Sequence, residues 1–188
     1  METESNEVET YWYVLRDLKR QNAKDPAYKV LQEEKYHLKD KLFVPLTQRV
    51  YTQFGKKVIK DVPYMPDLLF VHEERKQLDP IIDSIPTLQY RFVKGCRQHD
   101  PMKVRHTDMA HFIEAVSQTE KVEYYTLDEV SPQLYGKQIR IIGGRLNGFE
   151  GRLLSKRGSR HKRIIIDLAG FISAAILVEP EYIQLLKE

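Results

Sequence analysis

One cysteine, Cys96, stands in the 188 residues, and that scarcity excludes both an intrachain disulfide framework and a zinc site built from cysteines. The thiol reads as buried and inert. No apolar run approaches the ~20 residues that a membrane helix requires, so no membrane association is expected. The opening METESNEVET is polar and acidic, without the basic start and apolar stretch of a secretory signal. Cytoplasmic residence is therefore the expectation. The chain also lacks the Walker, G-x-S-x-G and G-x-G-x-x-G patterns. His106 and His111 are five apart, not at the i, i+4 spacing of a helical zinc pair. Glu33-Glu34 and Glu73-Glu74 are adjacent pairs with no sign of a desolvated acid beside an ionised partner. The expectation is a protein with no catalytic residues, no metal and no cofactor.

What is present fits a folded protein: 41% hydrophobic and 30% charged residues, with mean hydropathy −0.51. The net charge of +3 is unevenly placed, since residues 136–188 hold ten Lys/Arg against five Asp/Glu. Such a basic end suits nucleic acid or an acidic partner surface, with a well-solvated basic face as the ordinary alternative.

Behind a polar tail (1–10), Tyr11-Trp12-Tyr13-Val14-Leu15 has the aromatic and β-branched character of a strand. Asp25-Pro26 reads as an N-cap and first helical position, with Ala27, Val30, Leu31 and Leu38 carrying a helix to about Asp40. A short strand is predicted at Leu42 to Leu46, and a hairpin over Val50 to Ile59 with Gly55 in its turn. The unbroken apolar run Leu68-Leu69-Phe70-Val71 is the expected middle of the sheet. A helix around Leu78 to Ser84 and a strand from Leu88 to Val93 follow. Met109, Phe112, Ile113 and Val116 then mark one face of an amphipathic helix. Residues 11–117 thus read as an α/β sandwich, 118–135 as a linker, and 136–188 as a small barrel. The barrel strands are expected at Gln138 to Ile142, Gly151 to Ser155, Arg163 to Leu168, Ile172 to Val178, and Tyr182 to Leu186. The fold class as a whole is α+β.

The stretch Gly136-Lys137-Gln138-Ile139-Arg140-Ile141-Ile142-Gly143-Gly144-Arg145-Leu146-Asn147-Gly148-Phe149-Glu150-Gly151 carries the most information. Ile139 and Ile141 point inward at period two, Gly144, Gly148 and Gly151 permit the positive φ and close backbone approach of a tight loop, and Gly151, opening the next strand, allows a close strand crossing. Phe149 is expected exposed at the loop tip. This pattern resembles a KOW motif. Upstream, Trp12-Tyr13-Val14-Leu15, Phe43-Val44-Pro45, Tyr64-Met65-Pro66-Asp67-Leu68-Leu69-Phe70-Val71, and Ile85-Pro86 through Phe92-Val93-Lys94-Gly95 resemble, in order, the N-terminal (NGN) domain of the NusG family. Together the resemblances span about residues 11–187. Divergent paralogues of the RfaH and UpxY kind look closer than the housekeeping factor. The family pattern Pro-Gly-Tyr or Pro-Asn-Tyr is replaced here by Pro66-Asp67-Leu68.

The resemblance implies a monomeric transcription elongation and antitermination factor, acting at specific operons such as polysaccharide loci. Tyr64, Met65, Pro66, Leu68, Phe70 and Phe92 would receive the clamp helices of the largest RNA polymerase subunit, although each is as readily plain core. Asp79, Pro80 and Ile81 would meet the gate loop of the second-largest subunit. Lys19, Arg20 and Gln21 would lie near non-template DNA, with plain solvated surface as the ordinary reading for each. The run containing Lys156, Arg157, Arg160, Lys162 and Arg163 would pair with nascent RNA phosphates or keep an edge soluble. By resemblance, the loop carrying Gly144, Gly148, Phe149 and Gly151 would meet a ribosomal small-subunit protein. The competing reading is a ribosome-associated KOW protein that binds RNA through its barrel.

Overall fold

A computed structural model describes residues 11–19, 24–93, 100–119, 122–126, 128–129, 135–154, 162–168, 170–178 and 182–186. The polar tail, Arg20, Gln21, Lys94, Gly95, Cys96, Lys156, Arg157 and Arg160 lie outside the described residues. The chain forms a mixed, sheet-rich α+β fold of antiparallel sheets and few helices. It divides into two compact units, Met1–Leu46 with Pro63–His106, and Thr47–Val62 with Thr107–Glu188.

In the first unit the aromatic run becomes β1 (Trp12–Asp17), the strand on which the sheet is built. It pairs antiparallel with β5 (Leu69–His72) on one side, and on the other with β6 (Leu88–Tyr90) and β7 (Lys103–Val104). The short β2 (Leu42–Phe43) lies beyond β5. The predicted central run is therefore interior, but β1 rather than β5 has the most partners. Alternation sends Tyr13, Leu15, Leu69 and Val71 to one face. There they pack with Ala27 of α1 (Ala27–Val30), with Leu31 and Leu38, and with Leu78 and Ile82 of α2 (Arg75–Ser84). Each large side chain buried in this cluster stabilises by about 1.5–3 kcal/mol. Trp12, Val14 and Phe70, on the opposite face by the same alternation, are also buried.

The helix expected up to Asp40 is only one turn long. Glu33 is extended (ψ 141) and His37 is left-handed (φ 52), so the chain continues as two 3-10 turns, Glu34–Tyr36 and Lys39–Lys41. Ala27, Leu31 and Leu38 still reach the core, which is all that their spacing encoded. The polar stretch from Gln32 to Lys35 has no buried side to hold a longer helix. Nor does Asp25 cap it. The N-cap residue is Pro26, and the Ala27 N–H donates to Oδ2 of the buried Asp17 at 2.7 Å.

In the second unit, β3 (Leu46–Gln53) and β4 (Lys56–Pro63) form a two-stranded sheet of their own. The amphipathic helix appears as α3 (His106–Ser117), burying Met109, Phe112, Ala115 and Val116. The predicted linker contains a strand, β8 (Val122–Tyr125), paired with β12 (Ile172–Val178) from Val122↔Ile176 to Tyr125↔Ser173. The other strands fall close to expectation: β9 (Tyr135–Ile141), β10 (Glu150–Leu154), β11 (Lys162–Leu168) and β13 (Ile183–Leu185). They make one antiparallel sheet in the order β13-β9-β10-β11-β12-β8. Ile164, Ile165 and Ile166 are all buried, so β11 is covered on both faces. Gly151 has a packing reason, since a Cβ there would meet the Ile165 carbonyl oxygen at 2.4 Å.

Candidate interaction surface

The turn between β4 and β5 carries Tyr64, Met65, Pro66 and Asp67, all half-buried. Its conformation is held from both ends. The Leu68 N–H donates to the Met65 carbonyl at 3.2 Å, and the Tyr64 N–H to the Pro45 carbonyl at 2.8 Å. Asp67 accepts from Arg91 at 2.9 Å and lies 3.7 Å from Arg16 Nε. A carboxylate here thus joins the turn to β1 and to the segment after β6. Neither glycine nor asparagine, which the resembled pattern has before its tyrosine, would provide an ion pair here. Phe92, directly beyond Arg91, is exposed, and its ring lies 6.4 Å from that of Tyr90.

Of the six residues expected to receive the clamp helices, Tyr64, Met65, Pro66 and Phe92 reach the surface. Leu68 and Phe70 do not, at 1% and 0% exposure, so contact with a partner would require them to leave the core. Their apolar run is read correctly as an interior strand, and interior residues are covered. Asp79, Pro80 and Ile81 form part of α2. Asp79 accepts from the Tyr90 hydroxyl at 2.7 Å and pairs with Arg75 at 3.5 Å, and Ile81 packs against the core. Pro80 is the exposed member. Burial, and then the Asp79 acceptor, push the Tyr90 phenol well above its usual range, so it stays a neutral donor.

The nucleic-acid candidates separate likewise. Lys19 is tied back to its own loop, its N–H donating to Asp17 Oδ1 at 3.0 Å and its Nζ to the Asp25 carbonyl. Lys162 is exposed. Arg163 is not available to a phosphate, because its guanidinium lies 2.9 Å from Glu123, whose other oxygen accepts from the Tyr125 hydroxyl at 2.7 Å.

The loop between β9 and β10 places two of its three expected glycines at positive φ; Gly151 is not one of them, because it lies within strand β10. Gly144 and Gly148 have φ of 66° and 86°, and the Gly148 N–H closes onto the Ile141 carbonyl at 2.7 Å. Phe149, however, is buried at 4% exposure. Its ring stacks on His111 of α3, with centroids 4.3 Å apart and planes 14° apart. The glycines mark a tight loop, and the apolar ring gains more by covering itself than by facing water. A ribosomal protein would reach Phe149 only after the loop leaves α3.

Three features were not foreseen. Trp12, His72 and His106 form an aromatic column with centroid spacings of 5.1 and 4.7 Å. Burial, followed by the neighbouring His106, lowers the His72 pKa, which keeps that imidazole neutral at pH 7. The Asp17 cap has no local signal, since its acceptor lies ten residues before the N–H it serves. The third is the exposure of the expected hairpin, β3–β4, whose side chains are nearly all exposed. Among the described residues no cluster of His, Cys, Asp or Glu is placed to hold a metal, and no helix is long and apolar enough to cross a membrane.

No family model matches the chain, and no curated protein matches it significantly.

Proposed function

We propose that this chain is a transcription elongation and antitermination factor of the NusG type, which binds RNA polymerase across its cleft and performs no chemical step. The observation that supports this most is the glycine-spaced Gly136 to Gly151 stretch, folded as strand, tight loop and strand. It follows an antiparallel sheet whose β4–β5 turn displays Tyr64, Met65 and Pro66. In this reading the first sheet and its helices correspond to the NusG N-terminal domain, and β9 to β13 to the KOW barrel. The clamp helices of the largest subunit rest on Tyr64, Met65, Pro66 and Phe92, above a floor made by Leu68 and Phe70. The exposed side of α2 around Pro80 faces the gate loop of the second-largest subunit.

Bridging the two subunits favours the closed clamp only so far as the closed state is bound more tightly. A tenfold preference is worth about 1.4 kcal/mol, enough to shorten pauses and raise read-through. On this reading the chain acts as the divergent RfaH and UpxY paralogues do, at particular operons such as polysaccharide loci.

The test is co-purification of RNA polymerase with the full chain, combined with transcription in vitro across a terminator. Wild-type protein should retain polymerase and increase read-through. Met65→Asp with Phe92→Ala should abolish both while leaving the thermal transition in place. Ribosome association in sucrose gradients without polymerase retention would instead support a ribosome-associated KOW protein and overturn the proposal.

A further inference from the structure

An isolated two-stranded hairpin is at best marginally stable in water, so one with both faces exposed calls for a partner. Among the described residues β3 and β4 pair only with each other, and apart from Thr47, Val58, Val62 and Pro63 every residue in them is exposed. Residues 46–63 contain Arg49, Lys56, Lys57 and Lys60 against the single acid Asp61. Period-two alternation puts Arg49 and Tyr51 on one side of β3, and Lys56 and Lys60 on one side of β4. The Lys60 Nζ lies 5.8 Å from the Tyr51 ring centroid, so these sides are the same face of the ribbon. That face holds three cations around an aromatic ring. Asp61, out of phase with Lys60, belongs to the other face.

The tip adds a second observation. Phe54 and Gly55 form the turn with φ of 49° and 75°, the doubly left-handed geometry that favours Asn-Gly or Gly-Gly. A bulky aromatic is an outlier in that region. The ring gains nothing within the protein, since Phe54 is fully exposed at 104%. An unfavourable backbone position thus carries a ring held out in solvent, next to a strand that opens Lys56-Lys57.

From this hairpin we infer a nucleic-acid-binding arm: its cationic face follows the phosphates of a single strand while Phe54 stacks on an unpaired base. Charge complementarity selects a polyanion over an apolar protein pocket. The two rings select unpaired bases over duplex, because stacking needs a free base face. The arm is independent of the polymerase reading, as it requires only an accessible single strand.

The test is fluorescence anisotropy of the full chain with a labelled mixed-sequence 20-mer, as single-stranded DNA, single-stranded RNA and duplex DNA, over a range of salt. Phe54→Asn places the residue the turn prefers, so the thermal transition should hold or rise. Single-strand affinity should fall between about 5-fold and 150-fold, the range set by losing one stacked base. Duplex affinity should not change. Lys56→Gln with Lys60→Gln should reduce the salt slope on single strands by roughly 1.4, at ~0.7 for each phosphate that is no longer neutralised. Undetectable single-strand binding by the wild type, or unchanged affinity in both variants, would overturn the inference. So would a loss confined to phosphatidylserine vesicles or to polymerase retention, which would assign the arm to a membrane surface or to a protein.

Discussion

Replacing Asp17 with alanine removes, in one step, the acceptor of two backbone N–H groups. Asp17 is 3% exposed and takes Ala27 N–H at 2.7 Å and Lys19 N–H at 3.0 Å. The Ala27 bond acts as a cap supplied from a distance, at a one-turn helix whose own N-cap residue provides no side-chain bond. Losing a cap costs about 0.5–2 kcal/mol. Ala27 is itself fully buried, so its stranded N–H adds about 1–3 kcal/mol. A total of about 1.5–5 kcal/mol should result, and for a domain of about 100 residues this lowers Tm by at least ~6 °C. Calorimetry and urea titration of the full chain measure it, with Asp17→Asn as the partner variant. The amide oxygen can still accept one of the two N–H groups, so Asn should recover a large part of the loss. A Tm change under about 3 °C for Asp17→Ala, or equal losses in the two variants, would refute the capping role.

Gly151→Ala would bring a Cβ to 2.4 Å from the Ile165 carbonyl oxygen and 2.8 Å from Ile164 Cγ1. Strand separation of that kind should cost about 1–3 kcal/mol, read as a lower urea midpoint. His111→Ala removes the ring under Phe149 and should destabilise by about 0.5–1.5 kcal/mol; a neutral result in urea titration would show that Phe149 holds its position without the stack. Glu73 supplies a pH test. Burial acts to raise its pKa, but Lys41 Nζ at 2.6 Å and the Glu74 N–H at 3.0 Å outweigh it and hold the carboxyl below 4.5. Its contribution is complete above about pH 4.5 and is lost as the pH falls through the lowered native value. Glu73→Gln should therefore flatten the acid limb of Tm against pH, and an unchanged limb would rule this pair out as its source.

The parts of the fold that were legible are those in which the apolar pattern is long and unambiguous. β1, β11 and β12 are apolar runs buried along nearly their whole length, and α3 keeps one apolar helical face, all of which the chain displays directly. α1 was overread because Ala27, Leu31 and Leu38 keep helical spacing across a segment that is not helical. Their burial constrains where they point and leaves the backbone between them free to follow Glu33 and His37. β7 has two residues and no period to detect. β8 took its place in the sheet from a partner some fifty residues away, within a stretch whose polarity suggested a linker. The candidate surface was half legible. A run such as Leu68 to Val71 announces an interior strand, but which of its residues remain accessible depends on what covers the two faces. The burial of Phe149 depends on His111, 38 residues earlier, and no local pattern reports it.

The hydrogen bond between Tyr64 N–H and the Pro45 carbonyl, 2.8 Å long, ties together the two chain segments from which the β3–β4 hairpin departs. Whatever happens between those residues, the sheet of β1, β2 and β5 receives the chain back at the same point. The hairpin is therefore a cassette: its length, charge and tip residue are free to change from one descendant of this sequence to the next, with little effect on the sheet's own folding. Recognition by the arm and stability of the scaffold can then be selected separately, so a new specificity need not wait for a compensating change in the core.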